Sequence, residues 1–162
     1  KILGKKYEIK NFGNSGSTML KKGDKTYWKQ REFKAALEFN PNIVVIKLGT
    51  NDTKPQNWKH GADYLDDYKS MISTFSNLTS KPKIYICLPV PVVESRWGIT
   101  DDIVNEKIIP TLRKISNQTK CKIIDLNTPF NNKHNLIPDK VHPNAKGATI
   151  IAKEVAKSIL NS

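Results

Sequence analysis

Cysteine is scarce in this chain of 162 residues: there are two, too few for a disulfide framework. Cys87, in "KIYICLPV", and Cys121, in "KCKIIDL", lie in or beside apolar strand-like runs and read as buried free thiols. Histidine is scarce too. His60, His134 and His142 lack ligand spacing with the cysteines, so neither a metal nor any other cofactor is expected. No apolar run approaches the roughly 20 residues needed to cross a bilayer, and no membrane partner is expected. The opening "KILGKKYEIK" is too short and too charged to be the apolar part of a signal peptide, although a leader could have been removed. Acidic residues are outnumbered, 15 against 27 Lys and Arg, for a net charge of +12. Nucleic acid is still not an expected partner. The excess is Lys scattered over "KILGKK", "LKKGDK", "KPK" and "NKHN", with no Arg-rich helix and no aromatic-basic RNA motif. A solvated Lys-rich surface, or attraction to an acidic polymer such as an anionic polysaccharide, accounts for it.

A hydrophobic content of 38% and a mean hydropathy of −0.51 suit a water-facing globular domain, long enough to bury a core. Apolar β-rich runs alternate with amphipathic patterns. Strands are predicted at 7–13 ("YEIKNFG"), 42–49 ("NIVVIKLG"), 83–90 ("KIYICLPV") and 122–126 ("KIIDL"). Helices are predicted at 27–40, 61–79, 100–119 and 143–161 from apolar residues recurring at three- and four-residue steps. Thr100 is placed to cap the third, with Asp101 and Asp102 in its first turn; Pro110 should kink it, and Pro143 lies near the start of the fourth. Alternation of this kind predicts an α/β fold: one domain over 1–162, with a parallel sheet between helices. No repeat, low-complexity segment or linker interrupts it. Sites in such sheets form at the carboxyl ends of strands.

Three short segments fall at predicted strand ends. "NFGNSGST" (11–18) is rich in small residues, which leave backbone N–H groups free to meet a ligand oxygen, or simply form a flexible turn. "GTND" (49–52) ends a strand tightly at Gly49. Asn51 then offers a neutral side-chain donor of the kind an oxyanion needs, or acts as a turn former. "PDKVHP" (138–143) sets Asp139 three residues before His142. On a turn entering a helix, that spacing lets the carboxylate reach Nδ1 and leaves Nε2 to accept a proton; the plainer alternative is a helix cap beside a surface histidine.

Together, "NFGNSGST", "LGTND" and "DKVHP" at this spacing resemble the SGNH hydrolases, also called the GDSL esterases and lipases, over essentially the whole chain. Among them the chain looks most like bacterial carbohydrate O-acetylesterases. The resemblance implies a three-layer α/β/α sandwich with a flavodoxin-like sheet. It implies Gly16 and Asn51 as oxyanion donors, and Asp139 and His142 as two members of a Ser-His-Asp triad. It also implies an acetylated small molecule or polysaccharide as substrate, and a secreted or periplasmic location.

The family's first block, "GDS", carries the nucleophilic Ser on the first strand, and no such block occurs here. The resemblance therefore implies that residues 1–162 begin inside the fold, without its first strand. Ser15 and Ser17 flank the oxyanion loop itself, and Ser95 in "VVESRWG" lies beyond another strand end; none is well placed to be the nucleophile. A longer form of the chain or a second chain would then supply the Ser. A non-catalytic module that binds carbohydrate or an acidic polymer is the alternative. Trp97 is a candidate sugar platform and Arg96 a candidate partner for an acidic sugar; loop packing explains the Trp equally well.

Overall fold

In the computed structural model, which describes residues 2–161, three parallel strands form one sheet in the order β1 (Ile43–Ile46), β2 (Lys83–Leu88), β3 (Lys122–Asp125). Ile46 pairs with Ile86, and Ile86 with Ile123. Alternation along the strands divides their side chains between two faces. Val44, Ile46, Ile84, Ile86 and Leu88 join the larger core cluster. It is completed by Phe33 and Ala36 of α1 (Arg31–Glu38), by Tyr64, Tyr68, Met71, Ile72 and Phe75 of α3 (Tyr64–Ser76), and by Leu112 and Ile115 of α5 (Ile109–Thr119). Tyr85, Cys87 and Ile124 point the other way, against Ile150, Ile151, Val155 and Ile159 of α6 (Ala145–Leu160). Helices thus cover both faces, as expected of a three-layer α/β/α sandwich. A short helix, α2 (Pro55–Trp58), lies between β1 and α3.

Both cysteines are free; Cys87 is buried, which pushes its thiol up to about 12, and Cys121 is half-buried.

The structure departs from the sequence expectation in four places. Residues 7–13 form no strand, and Ile9 is 65% exposed. β-propensity alone makes no strand: the ladder needs a neighbour, and no strand lies beside this segment. The predicted helix at 27–40 begins late, because Tyr27–Lys29 is a single 3₁₀ turn and Gln30 is extended before α1. The helix at 100–119 is not one continuous α-helix. Instead α4 (Asp101–Ile103) runs into a π-helical stretch, Val104–Ile108, which leads into α5 with Pro110 in its first turn. Proline lacks an N–H and its ring crowds the carbonyl four residues back; widening the preceding turn accommodates it. Thr100 has the extended backbone of an N-cap, but its hydroxyl caps nothing and is buried without a partner. The last helix does have a side-chain cap: Asn144 Oδ1 accepts from Gly147 N at 3.0 Å.

Candidate active site

The site is built at the carboxyl ends of β1 and β2. Gly49 turns the chain out of β1 at φ +134°, and a Cβ there would lie 2.5 Å from the Tyr64 hydroxyl, so only glycine fits. The following 3₁₀ turn, Asn51–Thr53, carries both Asn51 and Asp52. Asp52 is fully buried. Its Oδ2 accepts from Met19 N at 2.9 Å and its Oδ1 from Leu20 N at 2.7 Å. Burial pushes this carboxyl up to about 7, opposed by the two N–H groups.

Two more side chains hold the same loop. Asn57 accepts from Asp24 N at 2.8 Å and donates through Nδ2 both to Asp24 Oδ1 and to Asn51 O. Asp67 accepts from Lys21 N at 2.8 Å. The loop over 17–24 is therefore fixed to the next site segment by buried side chains more than by backbone pairing. Gly16 sits just before it at φ +80°, in the turn closed by Ser17 N donating to Asn14 O. The Gly16 N–H makes no bond among the described residues. Asn51 Nδ2 donates to Ser17 O at 3.3 Å, linking the two segments directly and leaving its second N–H free.

On the opposite side, Asp139 and His142 lie on the turn before α6. Asp139 Oδ1 accepts from His142 N at 2.6 Å and Val141 N at 3.0 Å, while Oδ2 meets His142 Nδ1 at 2.8 Å. Those backbone N–H groups, then the imidazole, hold the Asp139 carboxyl down at about 2. The contact fixes Nδ1 as the protonated nitrogen of a neutral ring and leaves Nε2 as the acceptor. The His142 side chain is 62% exposed.

A cavity of about 210 Å³ joins the two sides. Gly13–Ser17, Lys47–Asn51, Val90, Ile99 and Val141–Pro143 line it. Gly16, Asn51 and His142 thus share one cavity, with Asp139 behind His142. Trp97 and Arg96 do not line the cavity; they lie beside His142 and Asp139. The indole lies 5.7 Å from the His142 ring at 45°, and the Arg96 guanidinium sits 4.4 Å from the indole centroid. Arg96 Nη1 donates to Asp139 O at 3.2 Å. None of the described hydrogen bonds joins a Ser hydroxyl to His142. Ser17 is buried and its Oγ donates to Asn14 Oδ1 at 3.2 Å, and Ser15 is exposed.

Sequence reasoning passed over Asp52, Asn57 and Asp67. Their partners in the 17–24 loop are 32 to 46 residues away, beyond any local pattern. The one legible signal was an Asp directly after Asn51 at the start of a buried turn.

Residues 1–150 match the model of the GDSL-like lipase/acylhydrolase family, and the chain belongs to it. An acetylxylan esterase from Xylanibacter ruminicola is 38% identical over 98% of this chain, which spans only 37% of that protein's length. Solved structures share the fold. An arylesterase, so described, from Agrobacterium tumefaciens str. C58 superposes with a TM-score of 0.75 at 19% identity, over 99% of this chain and 82% of its own. An acetyl xylan esterase superposes at 0.66 with 24% identity, over 80% and 72%.

Proposed function

We propose that this domain is part of a serine-type ester hydrolase that removes acetyl groups from carbohydrate. In this reading Asp139 orients His142, His142 is the general base, and the Gly16 N–H and Asn51 Nδ2 bind the oxyanion. The observation that carries it is the convergence of Gly16, Asn51 and His142 on one cavity, with Asp139 bonded to the far nitrogen of the imidazole. That is the layout acyl transfer needs: donors on one side of the reacting carbonyl, and a proton acceptor on the other.

The nucleophile is a Ser outside residues 1–162, carried by a strand of a longer chain or of a second chain. Two features support this. No described Ser bonds to His142. And among the described strands β1 pairs with β2 alone, leaving its other edge open. The Ser hydroxyl attacks the acetyl carbonyl and its proton passes to Nε2 of His142. The tetrahedral oxyanion collapses and the sugar alkoxide leaves, taking that proton. Water then attacks the acetyl-enzyme, again through His142, to release acetate. Affinity for carbohydrate esters agrees with the name of the relative from Xylanibacter ruminicola.

The test is Asn51→Ala in the full-length protein. Loss of one oxyanion donor lowers kcat by about 10²–10³, with KM little changed. Undiminished turnover of acetylated sugar by this variant overturns the assignment.

A further inference from the structure

Trp97 and Gly98 are the two central residues of a tight hairpin. Arg96 N donates to Ile99 O at 3.1 Å and Ile99 N to Arg96 O at 2.8 Å, while φ is +53° at Trp97 and +79° at Gly98. Positive φ at both centres is the type I′ turn, whose first position favours Asn, Asp or Gly. A Trp there is out of place on local grounds, because a bulky side chain at positive φ is a genuine outlier. Strained positions of this sort cluster where a side chain meets a ligand.

Burial gives no return for the strain. Trp97 is 55% exposed, the only aromatic among the exposed large hydrophobic residues described. Its orientation is nevertheless held. The Arg96 guanidinium lies over the ring and is itself fixed by Asp139 O. The hairpin is tied to the Asp139–His142 turn by Val93 N donating to Lys140 O at 2.8 Å, and by the Lys140–Glu94 ion pair at 3.6 Å. Gly98 packs close to Pro55, 3.3 Å from where its Cβ would be, which fixes the tip from below.

The chemistry places a ligand here. In an ester hydrolysis His142 returns its proton to the leaving alcohol, so the alcohol oxygen must approach Nε2. The rest of the alcohol then lies against the neighbours of His142, and the exposed neighbour is Trp97, 5.7 Å away. We infer that Trp97 is the leaving-group subsite, an aromatic platform on which the sugar ring that carries the ester stacks through its apolar C–H face. This rests on the hydrolytic reading for the identity of the leaving group. The platform itself is a binding site that can be measured without turnover.

The measurement is a calorimetric titration of the full-length protein and its variants with a deacetylated xylo-oligosaccharide, together, in wild type, with the protection of Trp97 from iodide quenching. Trp97→Asn is the informative variant, because Asn-Gly is the favoured pair for this turn and the hairpin is retained. Wild type should bind and be protected. Trp97→Asn should bind about tenfold more weakly or worse, the loss usual on truncating an aromatic anchor, and Trp97→Phe should retain most of the affinity. Asn51→Ala should bind like wild type while losing turnover. Equal binding by Trp97→Asn and wild type, or no binding by wild type, overturns the platform. Undiminished turnover by Asn51→Ala overturns the hydrolytic reading instead, so the two fail separately.

Discussion

The two sides of the cavity are built in opposite ways. On the Gly16–Asn51 side nearly everything supporting the donors is buried. Ser17, Thr18, Met19, Leu20, Asp52 and Asn57 are all at most 1% exposed, and buried carboxylate and amide groups take up the loop's backbone. On the His142 side the imidazole and Trp97 are exposed to solvent and the Asp139 carboxylate is half-buried, and two non-glycine residues, Trp97 and Lys140, have positive φ. Donors for a developing charge act best when they need no reorganisation, so a clamped, dry loop suits them. A base that passes a proton to an incoming and outgoing alcohol must be reachable. The contrast shows one site divided between a rigid half and an accessible half, with strain confined to the accessible one.

Substitution of the carboxylate in each half should separate the two designs. Asp139→Asn keeps an oxygen for the Val141 and His142 N–H groups but turns an NH₂ toward Nδ1, which favours the wrong tautomer. Turnover should fall on the order of 10³–10⁴, while the urea midpoint barely moves because the pair is exposed. Asp52→Ala should do the reverse in kind. It strands two buried N–H groups and should destabilise the fold by about 3 kcal/mol, read from urea unfolding. A large stability loss in Asp139→Asn, or none in Asp52→Ala, would erase the distinction between the halves.

The same two residues differ in their response to pH. The Asp52 carboxyl is raised to about 7, so the folded state binds a proton that the unfolded state has already released. Stability should therefore decline as pH rises from about 4 toward 7 and level off above it, and Asp52→Asn should remove that slope. Asp139 is shifted the other way, to about 2, and stays ionised across the whole of that range. Unfolding curves at fixed pH steps check both. The smallest effect belongs to the hairpin tip: Trp97→Asn should raise stability by about 0.5–1 kcal/mol by relieving the backbone at positive φ. Measured by thermal unfolding, a loss instead would mean that the indole packs more than it strains.

Asn51 falls just past the end of β1, where the strand pattern places it, and that much is legible in sequence; Gly16 follows no strand, and it meets Asn51 and His142 in one cavity through contacts made by folding. The apolar runs at 42–49 and 83–90 also announce β1 and β2. What is not legible depends on partners distant in the chain. Nothing local distinguishes Asp52 as a clamp for Met19 and Leu20, or Asn57 as the link between Asp24 and Asn51. The failed strand at 7–13 teaches the same lesson from the other side: its residues favour extension, but a ladder needs a neighbouring strand. Trp97 lies between. Its "RWGI" context hints at a turn, yet only the dihedral angles reveal that Trp occupies an Asn-type position.

The most direct test of the proposed triad is to treat the full-length active protein with a serine-reactive phosphonate and locate the adduct by mass spectrometry. The account predicts a single modified Ser outside residues 1–162, with labelling abolished by His142→Ala. An adduct on Ser15, Ser17 or Ser95, or labelling indifferent to the loss of His142, would contradict it.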